Sequence, residues 1–167
     1  MLDAAIRVLS ETPEASMETI ADAAGLARAT LYRRFAGRGD LLRAVCDRVS
    51  AERERVFRES VAEETDPVRC IGLMARRQVL LGHRFRFMSA PDGDRRTAAE
   101  PDLGFTRWVE SAQHAGGLRG DVSVAWLVAM IEATTRASLD AIAREELTTS
   151  QAAEIAADAL MAVAGPR

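Results

Sequence analysis

Apolar residues along this chain recur at three- and four-residue spacing, and nowhere alternate with the period of two that a half-buried strand requires. Leu2, Ala5, Ile6 and Leu9 form one helical face that ends before Pro13, since proline has no amide for a helix interior. Ser16 is suited to cap a second helix, which carries Met17, Ile20, Ala21 and Ala24. Gly25 ends it, because a sharp turn after a helix needs a residue that tolerates positive φ. A short third helix is predicted from about Arg28 to Phe35. Ala36-Gly37-Arg38-Gly39 then reads as a loop, and Asp40 as the cap of a long fourth helix reaching about Glu64. Its apolar stripe is Leu42, Val45, Cys46, Val49 and Val56, with Arg48/Glu52 and Glu54/Arg58 as i,i+4 pairs on the exposed side.

Thr65-Asp66-Pro67 reads as the next helix start, with proline in the first turn. That helix carries Ile71, Met74, Val79 and Leu80 and reaches His83 or Phe87. Ser89 to Asp102 is polar and contains proline, and is expected to be a loop or link. A further helix holds Phe105, Trp108 and Val109 and ends at Gly116-Gly117. A long helix from about Ser123 to Glu145 and a last one from about Ser150 to Val163 complete an all-α chain without internal repeats.

Apolar residues are 48% of the 167 and aromatics only 5%, so the core is built mainly of Ala, Leu, Val and Ile. No apolar run approaches the ~18 residues of a membrane span. The first residues lack the basic-then-apolar order of a signal peptide, which makes the cytoplasm the expected compartment. The net charge of −3 argues against a non-specific nucleic-acid coat. Its distribution points elsewhere: Leu26 to Arg43 carries a local net charge of +4, whereas the chain from Glu59 onward is net acidic. All the basic residues are arginine, as a GC-rich genome would favour. Cys46 and Cys70 are too far apart for a paired metal motif and fall in apolar helical patterns, so both read as buried free thiols.

Two short helices joined by a tight turn have the shape of a helix-turn-helix, whose second helix enters the major groove of DNA. Ile20-Ala21-Asp22-Ala23-Ala24-Gly25-Leu26, then Thr30-Leu31-Tyr32-Arg33-Arg34-Phe35, then Arg38-x-x-Leu41-Leu42, resembles the signature of the tetracycline-repressor (TetR) family of bacterial transcription regulators. The match covers about Leu2 to Val45. Ile20, Ala21, Leu31 and Phe35 are its inward positions. Thr30 and Tyr32 lie on other faces, where a hydroxyl can reach phosphate or a base edge. Arg28, Arg33 and Arg34 have the chemistry to read bases bidentately or to hold phosphate. The resemblance implies that Tyr32 packs on the sugar-phosphate backbone and that Arg38 is a phosphate contact. With Ser16 and Thr19, these residues are the expected DNA-binding set. In two respects the chain departs from the family. Ala27 stands where Ser or Thr commonly caps the recognition helix, and the sequence starts within the first helix, so that the basic residues that often precede it are either absent or cut off by a truncated start.

The resemblance further implies a helix-turn-helix domain over residues 1–47, joined to a helical effector-binding and dimerisation domain over 48–167. The expected function is that of a sequence-specific repressor, released from double-stranded operator DNA when a small apolar effector in the second domain moves the fourth helix. Met74, Gln78, Phe85, Phe105 and Trp108 are the candidate pocket residues, adaptable and aromatic surface with a polar group among it. The last two helices are apolar on more than one side, so one side can pack on the domain and the other on a second copy in a four-helix bundle. Leu127, Ile131, Ile155, Ala156 and Ala159 are the candidate homodimer contacts. No catalytic constellation, metal-ligand spacing or glycine-rich phosphate loop is visible, so neither an enzyme, a metal nor a cofactor is expected. The competing reading is a ligand-binding or protein-interaction module of the same fold with weakened or lost DNA binding.

Overall fold

Every regular element among the described residues of the computed structural model, 1–83 and 103–166, is an α-helix. In chain order these are α1 (Leu2–Glu11), α2 (Met17–Ala23), α3 (Arg28–Arg34) and α4 (Arg38–Glu63). There follow α5 (Pro67–His83), α6 (Leu103–His114), α7 (Val124–Ala143) and α8 (Thr149–Ala164). They divide into two compact units, one of Met1–Glu52 and one of Arg53–His83 with residues 103–166, so the division falls within α4. The expected loop after Ser89, and any extension of α5 to Phe87, lie outside the described residues.

In the first unit α1, α2 and α3 close around Ile6, Leu9, Ile20 and Leu31, with Leu41 and Val45 of α4 equally buried. Here α4 begins two residues earlier than its expected cap. The Gly37 carbonyl accepts from Leu41 N–H at 3.2 Å, and Asp40 lies inside the first turn. Its carboxylate reaches back to Ala36 N–H at 2.9 Å, satisfying a free donor ahead of the helix, as the acid of a capping box does. Leu41 is wholly buried and Leu42 only partly, which corrects the expected stripe by one position. The pairs Arg48–Glu52 and Glu54–Arg58 form at 3.2 and 3.4 Å.

In the second unit α5 packs along α8, α7 lies against both, and α6 packs on α7. The contact face of α8 is mostly alanine, with Ala152, Ala153, Ala156, Ala157 and Leu160 buried. Small side chains let two helix axes approach closely. Gly72 on α5 is part of that approach, since a Cβ there would come within 2.7 Å of the Met161 side chain. Thr148 and Gln151 form a complete capping box at the start of α8. Leu80, expected on the apolar face of α5, is instead 46% exposed. Just past α7, Glu145 adopts φ 59°, a left-handed conformation that suits glycine better than a residue with a Cβ. Both thiols are free. Burial pushes the Cys70 thiol up to about 11, with the negative charge of Glu64 adding to the effect. Among the described residues no helix is long and apolar enough to cross a membrane.

Candidate nucleic-acid interface

Local chemistry sets the angle between α2 and α3. Ser16 caps α2, its hydroxyl accepting from Thr19 N–H at 3.1 Å and lying 2.9 Å from the Thr19 hydroxyl. At the other end Gly25 takes φ 65°. Its N–H bonds to the Asp22 carbonyl at 3.0 Å, and Leu26 N–H to the Ala21 carbonyl at 2.9 Å. This paired closure satisfies two carbonyls at once and requires the left-handed residue between them. Ala27 is the N-cap of α3 and supplies no side-chain hydrogen bond, so the amides of the first turn of α3 have no capping side chain.

On α3, Leu31 and, just beyond it, Phe35 point into the unit, while Tyr32, Arg33 and Arg34 are exposed and Thr30 is half-buried. The two arginines stand in the last turn, where the helix dipole favours cations. Thr30, Arg33 and Arg34 also line an open cleft of about 800 Å³ floored by Met1, Leu26 and Phe35. The five arginines from Leu26 to Arg43 are not equivalent. Arg28 pairs with Glu18 at 3.4 Å, and Arg43 pairs with Asp40. Arg38, expected to contact phosphate, turns inward and donates to the backbone carbonyls of Ala15, at 2.6 Å, and Pro13. Among the described residues Arg33 and Arg34 make no ion pair, and they are the cations this face leaves available.

The arrangement is a helix-turn-helix whose second helix carries hydroxyls and exposed arginines outward, which is the chemistry of phosphate and base-edge contact. Residues 1–45 match the family model described as bacterial regulatory proteins, tetR family. The fold is similar to that of the TetR-like transcriptional regulator LfrR from Mycobacterium smegmatis, solved in complex with proflavine. That likeness has 26% identity and a TM-score of 0.70, and covers 95% of this chain and 90% of the other. Residues 1–45 are a TetR-family DNA-binding domain. FadR from Bacillus subtilis, solved with stearoyl-CoA, shares the fold at TM-score 0.73 and 17% identity, covering 96% of this chain and 95% of its own. A TetR family regulator from Marinobacter aquaeolei VT8 does so at 0.70 and 18%, covering 99% and 94%. No curated protein matches the sequence. The likeness is to DNA-binding regulators of transcription and not to enzymes.

In the second unit, Phe105 and Trp108 stack at 6.1 Å between centroids with 19° between planes. Phe57 of α4 meets both edge-on, at 5.7 and 6.2 Å. Phe57 is not among the pocket residues expected from the sequence, although it directly follows Val56 of the stripe. Met74 is buried and Gln78 half-buried; Phe85 lies outside the described residues. The candidate dimer residues divide in two. Leu127, Ile131 and Ala156 are buried within their own unit at 0, 6 and 0% exposure, so they are core residues rather than surface ones. Ile155 is 53% exposed, and Ala159 and Ala162 are exposed beside it on α8. On α7 the outward face carries Trp126, Ala129, Ala133 and Ala137. Behind Trp126, at 5.7 Å from its ring centroid, stands the guanidinium of Arg119, which is held by both carboxylate oxygens of Asp121 at 2.7 Å.

Proposed function

We propose that this DNA-binding regulator is a homodimeric, sequence-specific repressor that leaves its operator when a small apolar effector binds the second unit. The DNA-reading set is Arg33, Arg34, Thr30 and Tyr32 on α3, with Ser16 and Thr19 at the start of α2. The observation that carries this reading is the pair of exposed arginines, with no ion pair among the described residues, on a helix whose inward face is locked by Leu31 and Phe35. The effector enters beside Phe57, Phe105 and Trp108, with Met74 and Gln78 of α5 as further candidate lining residues. Rings in edge and stacked contact offer a slot that a flat or acyl ligand fills by displacing side chains. The ligands named with the LfrR and FadR structures, proflavine and stearoyl-CoA, are of these two shapes. The outward faces of α7 and α8 meet the same faces of a second copy.

Both tryptophans, Trp108 and Trp126, lie in the second unit, so indole emission reports ligand entry without interference from the reading head. A ligand that lowers DNA affinity must be bound less tightly by the DNA complex, by the same factor. The test is a fluorescence titration with proflavine and with a fatty acyl ligand, with and without bound DNA, on wild type and Trp108→Phe. Weaker ligand binding in the DNA complex, with the signal lost in Trp108→Phe, supports the proposal. Equal affinity for ligand in free and DNA-bound protein contradicts it. The uncapped start of α3 at Ala27 favours one alternative, the same fold with weakened operator binding, for which no duplex would be selected from random DNA.

A further inference from the structure

We propose that Arg38 is a positioning residue, a latch that holds the start of α2 against the start of α4, rather than a contact to phosphate. The proposal rests on the reading of this unit as the DNA-binding head. The guanidinium of Arg38 forks across two backbone carbonyls, Nη1 donating to Ala15 at 2.6 Å and Nη2 to Pro13. These carbonyls belong to the turn between α1 and α2, 23 and 25 residues before Arg38. Ala15 is itself buried and directly precedes Ser16, the cap of α2, whose hydroxyl meets that of Thr19 at 2.9 Å. One side chain thus ties the first residue of α4 to the backbone that presents Ser16 and Thr19. Turning it outward to a phosphate would strip both carbonyls of their charged donor, and hydrogen bonds to charged groups are among the stronger ones.

The chemistry of the fork separates a latch from a phosphate contact. A lysine keeps the charge but presents a compact ammonium without arginine's rigid planar fork, so it cannot span two carbonyls in the same way. A phosphate contact would tolerate Arg38→Lys; a latch would not. Because α4 runs on to Glu63, the latch also makes the placement of the α2 start depend on the first turn of that helix.

The test is binding of the whole chain to a duplex selected from random DNA, at several salt concentrations. The variants are Arg38→Lys, Arg38→Ala, Thr19→Ala and the double variant Arg38→Lys with Thr19→Ala. The latch predicts that Arg38→Lys loses roughly tenfold in affinity, as for one charge-assisted hydrogen bond, with its salt slope unchanged because no phosphate is left unneutralised. It also predicts that Arg38→Lys costs clearly less than about tenfold once Thr19 is alanine, since part of its loss runs through the Thr19 contact and only the rest through Ser16. Wild-type affinity in Arg38→Lys, together with a slope reduced by about 0.9 per head in Arg38→Ala, would make Arg38 a phosphate contact and overturn the proposal. Fully additive losses in the double variant would equally overturn it, as a general effect on folding. If Arg38→Ala does not fold, the lysine and threonine variants still decide. Absence of any DNA binding by the wild type would overturn the reading of the head itself, and the latch with it.

Discussion

Arg28 lies over the ring of Tyr32 one turn further along α3, its guanidinium carbon 5.4 Å from the ring centroid. At the same time it pairs with Glu18 of α2 at 3.4 Å. Its charge is therefore shared between a ring that faces outward and a carboxylate that would repel phosphate. Exposed pairs of this kind are worth about 0.2–1 kcal/mol. Glu18→Gln should accordingly tighten binding to operator and unrelated duplex alike by about two- to fivefold. Tyr32→Ala should weaken both, with little change in melting temperature, because the ring is 39% exposed. Fluorescence anisotropy on both duplexes at one salt concentration checks the pair. Unchanged affinity in Glu18→Gln would place Arg28 and Glu18 away from the DNA.

Burial separates the surface positions of α7 and α8 from the core ones. Ile155→Glu and Ala159→Glu should yield folded monomers, because a charge on the outward face is solvated in the monomer and would be buried only in the proposed dimer. Ile131→Glu and Ala156→Glu should instead unfold the second unit, with a loss of several kcal/mol for an uncompensated buried charge. Sedimentation with thermal melting distinguishes the two outcomes. Dimers that persist in both Ile155→Glu and Ala159→Glu would put the interface elsewhere.

At Cys70 the thiol is raised from the ordinary value of 9.0 to about 11. The native state therefore holds the proton more tightly than the unfolded chain does. The corresponding stability is fully present below pH 9 and is lost as pH rises through about 11. A rise of that size amounts to roughly 2–3 kcal/mol at most. Denaturant midpoints measured from pH 8 to 11 should fall more steeply for wild type than for Cys70→Ala. Parallel curves would show that the thiol does not titrate differently in the two states.

Glu145 offers a stabilising change. A residue with a Cβ at φ 59° costs about 1–2 kcal/mol, and glycine removes most of that strain at some entropic cost. Glu145→Gly should stabilise by about 0.5–1 kcal/mol in denaturant unfolding. A decrease in stability would mean that the Arg144–Glu146 pair at 2.7 Å depends on the present backbone more than the strain opposes it.

Features of the sequence that act locally are the ones that can be read from it. Gly25 has to take positive φ wherever the rest of the chain goes, and Ser16 has to cap because its own helix follows it directly. The Thr148–Gln151 capping box acts just as locally, although the apolar pattern alone starts that helix at about Ser150. What the sequence leaves open depends on partners distant along the chain. Leu41 and Leu42 are both apolar, and which faces inward is decided by a cap at Gly37 in a stretch that reads as loop. The direction of the Arg38 fork is set by carbonyls 23 and 25 residues away. The helices α7 and α8 are apolar on several sides, and only packing on α5 and α6 sends Leu127 and Ile131 inward and leaves Trp126 and Ile155 outside.

Selection of random duplex DNA by the whole chain, followed by binding to the enriched duplex at four salt concentrations, tests the DNA-reading role of α3 most directly. The expected product is an inverted repeat with half-site centres about 34–36 Å apart, or a multiple of that, as two symmetric heads require. Arg33→Ala and Arg34→Ala should each reduce the salt slope by about 0.9 for every phosphate deprived of its cation, or alter the preferred base if the side chain reads one. Failure to enrich any sequence, or a double variant Arg33→Ala with Arg34→Ala that keeps wild-type affinity, slope and base preference, would contradict it.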